Sequence, residues 1–341
     1  MLFRFNRKRL GAAALSVCLG AALFGGTGVL AASGDADDDG IDDTVEAELI
    51  ARYVPVYYFH PDEQYYADTV DEYLPNVQMR FHYRLLSDDG ILDMGAVTQE
   101  ALPEQVHANK DFMGHYTDEM IRSNSARNTF SDGGYFLEVP DDLEHREQVY
   151  RGNPEGDRTQ VYAHAFRNDE GNISIQYWLF FPYNEAPSVG GVKLNHEGDW
   201  EHVTVRLNAE QTLDKIYFAS HNNEGKAHAP ENLSFTTGNQ AVLPYSEADG
   251  VTHPLVYQAK GTHASFPTAG TQYRGWYLPN DYTGEGVFFS GLDRAVNVGE
   301  LDTPLNDQQF IRYGGLWGEI GVTPISTGPK TPSFQDSWMA D

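Results

Sequence analysis

From Pro55 onward the chain runs in short apolar and aromatic stretches broken by turn residues, with no alternation of strands and long helical repeats and no glycine-rich phosphate loop. Short extended runs bury their apolar sides only by pairing into sheets that pack face to face. The pattern therefore predicts a mainly β protein: a β-sandwich, jelly-roll-like, with a few short helices. Expected strands cover residues 54–60, 77–86, 135–139, 160–166, 173–181, 201–207, 213–219, 254–259 and 287–289, and short helices residues 99–104 and 111–122. Asp169-Glu170-Gly171-Asn172 is the turn that folds residues 160–166 back on 173–181. From Gly314 the chain is rich in Gly, Pro and Trp and reads as an ordered cap carrying Trp317 and Trp338, so residues 54–341 are expected to form one sandwich domain.

Residues 195–205, NHEGDWEHVTV, concentrate the chemistry. Alternation along a strand sends Asp199, Glu201, Val203, Val205 and Leu207 to one face and Trp200, His202, Thr204 and Arg206 to the other. Two carboxylates at the mouth of an apolar face need protons, bases or a metal ion, because an unpaired buried charge costs several kcal/mol or more. His196 with Asp199 and Glu201 is a mixed nitrogen and oxygen donor set that suits Mg²⁺, Ca²⁺ or Mn²⁺, and Zn²⁺ if His202, His221 or His263 joins it. His221 follows a strand end and His263 sits in a glycine-flanked turn, places suited to ligand contact or to supporting a metal residue from behind, as Trp200 also is. The alternative for Asp199 and Glu201 is an inward salt bridge, and for each histidine a satisfied structural role.

A second acidic motif, GDADDDGIDDTVEAELIARYV, precedes the sandwich. Asp35, Asp37, Asp39, Gly40 and Glu46 fall at positions one, three, five, six and twelve of a calcium loop. Ile41 would contribute its carbonyl and Asp43 a direct or water-borne oxygen, and residues 44–53 are expected to form the exiting helix, with Val45, Leu49, Ile50 and Tyr53 along one side. No entering helix fits before Asp35. Residues 32–53 thus read as a half EF-hand similar to the loops of thrombospondin type 3 and dockerin modules, clamped by Ca²⁺.

Residues 1–31 place Arg4, Arg7, Lys8 and Arg9 before an apolar run ending near Ala31, the layout of a secretory signal peptide, so the protein is expected to be secreted or held in the periplasm or cell envelope. Cys18 lies inside that run, and the remainder has no cysteine for a disulfide. Against 50 acidic residues stand 23 basic ones, a net charge of −27, which repels nucleic acid and makes divalent cations the natural partners.

The series YYFHPDE near residue 57, QYWLFFPYNEAP at 176, GDWEHVTV at 198, IYFASHNN at 216 and VYQAKGTHASFPTAG at 256 resembles the Vps62 (vacuolar protein sorting-associated) family across most of the chain. It is similar, more distantly, to the necrosis- and ethylene-inducing-like proteins, secreted β-sandwich cytolysins with a G-H-R-H-D-W-E heptad. Of that heptad Asp199, Trp200 and Glu201 are retained, while Asn195-His196-Glu197 and Gly198 replace the rest. The resemblance implies that His196, Asp199 and Glu201 ligate a divalent cation in a surface pocket. It also implies a further ligand from the preceding strand end, where Asn184, or Glu185 beside it, replaces an aspartate.

No G-x-S-x-G elbow occurs, and nothing in the chain names a substrate. The leading expectation is a secreted, metal-binding protein that takes a polar ligand, a lipid or glycan head group, in the His/Asp/Glu pocket. The rivals are an extracellular metal-dependent hydrolase with His221, His263, Glu197 or Glu201 as base, and a structural envelope protein in which both cations only stabilise.

Overall fold

The computed structural model of the protein describes residues 34–82, 90–92, 96–102, 134–188, 190–191, 193–221, 224–275, 278–319, 321 and 324–340. A six-stranded sheet runs in the order β16 (Ala295–Asn297), β5 (Val161–Arg167), β6 (Ile173–Asn184), β7 (His196–Leu207), β8 (Leu213–Phe218), β9 (Lys226–His228). Facing it is a second sheet, β10 (Phe235–Thr236), β11 (His253–Gln258), β1 (Val56–Phe59), β15 (Phe288–Ser290), with β12 (Ser265–Phe266) beside β11. A smaller sheet, β3 (Gly90–Leu92), β2 (Gln78–His82), β4 (Gly134–Glu138), and the pairs β13 (Gly270–Gln272) with β14 (Asp281–Thr283) and β17 (Gly299–Glu300) with β18 (Thr303–Pro304) complete the strands among the described residues. Among the described residues the complete α-helices are α1 (Asp43–Tyr53), α2 (Val70–Tyr73) and α3 (Arg146–Arg151).

The central hairpins are closed by one device used twice. Asn168 Oδ1 accepts from the Glu170 and Asn172 amides between β5 and β6, and Asn208 Oδ1 accepts from the Glu210 and Thr212 amides between β7 and β8. Short asparagine side chains that mimic a backbone turn are well suited to this. The expected turn at 169–172 is there, with Gly171 in the left-handed region at φ 81°.

One face of the six-stranded sheet packs against the second sheet. Ile175, Tyr177, Leu179 and Phe181 of β6 and Val203 and Val205 of β7 meet Tyr57, Phe59, Val256 and Phe289, with Leu49, Ile50 and Tyr53 of α1 in the same cluster. The other face is covered as well: Trp178, Phe180 and Trp200 pack with Met79, Leu137, Tyr73, Phe310 and Trp317. The sandwich therefore carries a third layer, built from the small sheet, α2 and the C-terminal cap. At the roughly 25 cal/mol per Å² of apolar surface removed from water, burial on two faces makes β6 the anchor of the fold.

Two strands run further than their sequence suggests. β6 continues to Asn184, past Pro182, and β7 starts at His196 rather than Glu201. Proline lacks the amide a ladder uses and so reads as a strand end, but pairing resumes beside it, Phe181 opposite Asp199 and Tyr183 opposite Glu197. Helix α1 matches its expectation, with Asp42 capping it by accepting from the Thr44 and Val45 amides. Ala101 and Leu102 are helical, whereas the rest of the expected helix at 99–104 beyond Leu102, the helix at 111–122, part of the strand at 77–86 and the leader with Cys18 lie outside the described residues. In the cap, Trp317 is fully buried with its Nε1 donating to Thr331 Oγ1 at 2.7 Å, and Trp338 stacks on His164 with ring centres 3.6 Å apart.

Candidate ligand cleft and cation loop

The end of β6, the start of β7 and the turn after β11 converge at Asp199. Its Oδ2 accepts from Asn184 Nδ2 at 3.1 Å and from His263 Nδ1 at 3.0 Å, and its Oδ1 accepts from the Trp200 amide at 3.1 Å. Burial opposes the charge, but the His263 hydrogen bond, the charges of His196 and His263 and the Asn184 bond outweigh it and hold the carboxyl below the usual carboxylate range. His263 is itself fully buried, stacked on Phe181 with ring centres 3.8 Å apart, its Nε2 3.0 Å from the Tyr65 carbonyl.

The turn that presents His263 is fixed from several sides. Gly261 sits at φ 71°, where a Cβ would lie 2.4 Å from the Glu185 carbonyl oxygen, so the loop packs only around glycine. Gly261 donates to Glu63 Oε2 at 2.8 Å, and the Gln64 and Tyr65 amides donate to the other oxygen of the same carboxylate. His263 and His221 both hold left-handed backbone, φ 55° and 43°, a conformation that non-glycine residues adopt at a cost and that clusters at functional sites.

Beside this network lies an open cleft of about 400 Å³, lined by Glu185, Lys193, Asn195, Lys260, Asn280, Asp281 and their neighbours. Asp281 is buried. It accepts from Thr262 Oγ1 at 2.8 Å and pairs through Oδ2 with His221 Nε2 at 2.7 Å. In a chain with more than twice as many acids as bases, Lys193 and Lys260 offset Glu185 and Asp281 on the same lining and bring the cleft locally near charge balance.

The expected metal residues are only partly brought together. Asn184 and Asp199 touch, and His196 is close enough for its charge to act on Asp199, but His196 Nδ1 lies 2.8 Å from the Gly198 carbonyl. Glu201 stands two residues further along β7, opposite Leu179. Ligand atoms of His196, Asp199 and Glu201 do not converge within 4.8 Å, unlike those of two acidic groups described below. One buried atom, Asn184 Oδ1, has no hydrogen-bond donor, yet both Asp199 oxygens are already engaged. As arranged, His196, Asp199 and Glu201 do not gather around a single divalent ion. At φ 59° Gly198 breaks the period-two alternation, turning Glu197 into the third layer to meet Tyr150, Arg146 and the Val139 amide.

Trp200 stands on the opposite face from Asp199, buried among Phe180, Phe310 and Trp317, so its side chain belongs to packing and not to the cleft. His202 likewise stacks on Trp178. Sequence reasoning missed Glu63, Thr262, Asp281, Lys193 and Lys260. Glu63 carried a signal, the YYFHPDE series, while Asp281 lies in no motif.

At the N-terminus, ligand atoms of Asp35, Asp37 and Asp39 converge within 4.8 Å, as do those of Asp37, Asp43 and Glu46. Asp37 and Glu46 are 3 % and 1 % exposed, and Asp37 Oδ1, Asp39 Oδ2 and Glu46 Oε1 are buried with no hydrogen-bond partner. Burial and mutual repulsion push Asp39 up to about 7 and Glu46 up to about 8. Gly40 turns the loop at φ 82°, and Ile41 anchors it in the main core. This all-oxygen set fits a hard cation: Asp35, Asp37, Asp39, Asp43 and Glu46 would hold Ca²⁺, which would neutralise their mutual repulsion.

Residues 107–318 match the family model described as Vps62, vacuolar protein sorting-associated protein 62. The chain is 23 % identical over 302 residues to the vacuolar protein sorting-associated protein 62 of Saccharomyces cerevisiae, covering 82 % of this chain and 61 % of that protein. It is 24 % identical over 298 residues to the putative vacuolar protein sorting-associated protein TDA6 of the same yeast, covering 79 % and 60 %. The chain thus spans about three-fifths of the length of these curated relatives. Among solved structures, the Necrosis and Ethylene inducing Protein 2 from the agent of cocoa's witches' broom disease aligns at TM-score 0.30 and 14 % identity, covering 64 % of this chain and 67 % of that one. A structure described as NLPPya in complex with mannosamine aligns at TM-score 0.25 and 17 % identity, covering 44 % and 55 %.

Proposed function

The chain belongs to the Vps62 family, and on that premise we propose that it is an exported binding protein that takes a polar ligand, a glycan or lipid head group, in the cleft beside Asp199, with Ca²⁺ held in its N-terminal loop. The observation that carries this reading is the cleft itself: Lys193 and Lys260, Glu185 and the amides Asn195 and Asn280 surround one opening, a lining that reads hydroxyls and charges rather than apolar surface. The Asn184–Asp199–His263 network and the Glu63–Gly261 bond hold its wall, so the donors are set before a ligand arrives. The charged leader followed by an apolar run supports export. A hydrolytic role is the second reading, favoured by His221, whose Nε2 meets the cleft residue Asp281, an arrangement that orients an imidazole as a base.

Titration of the wild type and Lys260→Ala with saccharides and with lipid vesicles, set beside an ester and phosphodiester turnover screen, tests both. Binding weakened in Lys260→Ala supports the binding reading. Turnover lost in His221→Ala replaces it with the hydrolytic one.

A further inference from the structure

The β13–β14 hairpin forms part of the cleft rim through Asn280, Asp281 and Tyr282. Its register sets Thr271 opposite Tyr282 and Gln272 opposite Asp281, and just past the last pair the Arg274 amide donates to the Asn280 side-chain Oδ1 at 3.2 Å, which keeps the two chain segments side by side as they leave the strands. Residues facing each other across an antiparallel pair lie on the same side, and those two apart along a strand do too. Tyr273, Asn280 and Tyr282 therefore share one face, while Gln272 and the buried Asp281 take the other. That shared face lies open: Tyr273 is 84 % exposed and Tyr282 52 %.

The charges of this hairpin are spent elsewhere. Arg274 is bound by both oxygens of Glu224 at 2.8 Å, and Asp281, the only acid between residues 270 and 283, is buried on Thr262 and His221. In a chain of net charge −27 this leaves a neutral strip of two rings with an amide between them, continuous with the polar cleft. Aromatic faces that carry a polar tip stack on the C–H faces of sugar rings, and an amide between them pairs with hydroxyls. Leu278 of the same hairpin is 46 % exposed, but Asn280 and Thr271 interrupt the apolar surface between the two rings, and the sugar-free vesicle arm of the test below separates a bilayer from a saccharide.

We propose that Tyr273, Asn280 and Tyr282 extend the cleft into a binding track for a chain of linked sugars, the cleft seating one residue and the tyrosine strip its neighbours. This rests on the reading of the cleft as a glycan site. The test is calorimetric titration of the full chain with mono-, di- and tetrasaccharides of glucose, mannose and N-acetylglucosamine. Affinity is expected to rise about tenfold from mono- to tetrasaccharide in at least one series, a gain of the size one or two ring contacts supply. Tyr273→Ala is expected to abolish that gain and Tyr273→Phe to retain it, both with an unchanged melting temperature because the side chain touches solvent. Equal affinity for all lengths, or a length dependence that survives Tyr273→Ala, overturns the track while leaving the cleft reading intact. Absence of saccharide binding at every length overturns the cleft reading itself. Loss in Tyr273→Ala of binding to sugar-free phosphatidylcholine vesicles, without a length effect, assigns the strip to a membrane instead and also overturns the proposal.

Discussion

Asp199 and His263 are joined by a 3.0 Å hydrogen bond that ties the two sheets of the sandwich, since Asp199 lies on β7 and His263 in the turn between β11 and β12. Removing one member of a buried pair leaves the other uncompensated, at a cost of about 3–5 kcal/mol. His263→Ala should therefore lose that much stability in urea, while Asp199→Asn with His263→Ala should cost less than the two single changes summed. Additive losses would show that the pair is not coupled.

The N-terminal loop predicts a cation-dependent melting temperature. A ligand at a hundred times its dissociation constant adds about 3 kcal/mol, so calcium chelation should lower the transition and Glu46→Gln should remove most of the calcium effect. Asp39 and Glu46 have raised values, about 7 and 8, in the cation-free fold. The folded state then holds protons that the unfolded chain has released, so cation-free stability falls as pH rises from the ordinary carboxylate range through those values. The calcium-induced shift should accordingly be larger at pH 8 than at pH 6. An equal shift at both would refute the assignment.

Glu197 is the second pH-sensitive carboxyl. Burial pushes it up to about 7, only partly offset by Tyr150, the Val139 amide and Arg146. The raised value makes its contribution fully present below the ordinary value of 4.5 and lost as pH climbs through about 7. The span corresponds to about 3 kcal/mol at 1.4 kcal/mol per pKa unit. Glu197→Gln, which keeps acceptor capacity without the charge, should flatten the stability profile between pH 5 and 8. A profile as steep as that of the wild type would count against a buried, shifted Glu197.

Gly198→Ala should be costly for a reason unconnected with the cleft. At φ 59° its Cβ would lie 2.2 Å from the Trp317 carbonyl oxygen. The left-handed strain alone is about 1–2 kcal/mol, and displacement of the cap adds to it. Near-ultraviolet dichroism of Trp317 alongside equilibrium unfolding measures both, and a variant as stable as the parent would contradict the close approach.

The sheet pattern was legible because short aromatic runs between turn residues have few other solutions, and the alternation Val203, Val205, Leu207 named the main core face of β7 correctly. The alternation, which begins at Asp199, could not direct Glu197 and His196, because left-handed Gly198 between them resets which way the side chains point. The gathering of Asp35, Asp37, Asp39, Asp43 and Glu46 was readable because these carboxylates are local in sequence. The cleft was not, because Lys193, Lys260 and Asp281 come together, with Glu63 holding Gly261 behind them, only through the tertiary packing of four separate segments.

Burial of both faces of β6 has a consequence for how the chain finds its alignment. In a sheet with one wet side, slipping a strand by one residue puts apolar groups in water and is punished at once. Along β6 the neighbours Leu179 and Phe180 are both fully enclosed, so such a slip would exchange one greasy side chain for another. The correct alignment must be selected by volume and by the few polar anchors: Tyr177 donating to the Ile50 carbonyl, Gln176 donating to the Ser337 carbonyl, and the two asparagine-closed turns that lie side by side at one end of the central ladder, where Ser174 pairs with Arg206. Errors of pairing during refolding are thus expected to be compact and slow to correct, and the C-terminal cap, which grips Gln176 only when the frame is right, acts as the proofreader of the sheet it covers.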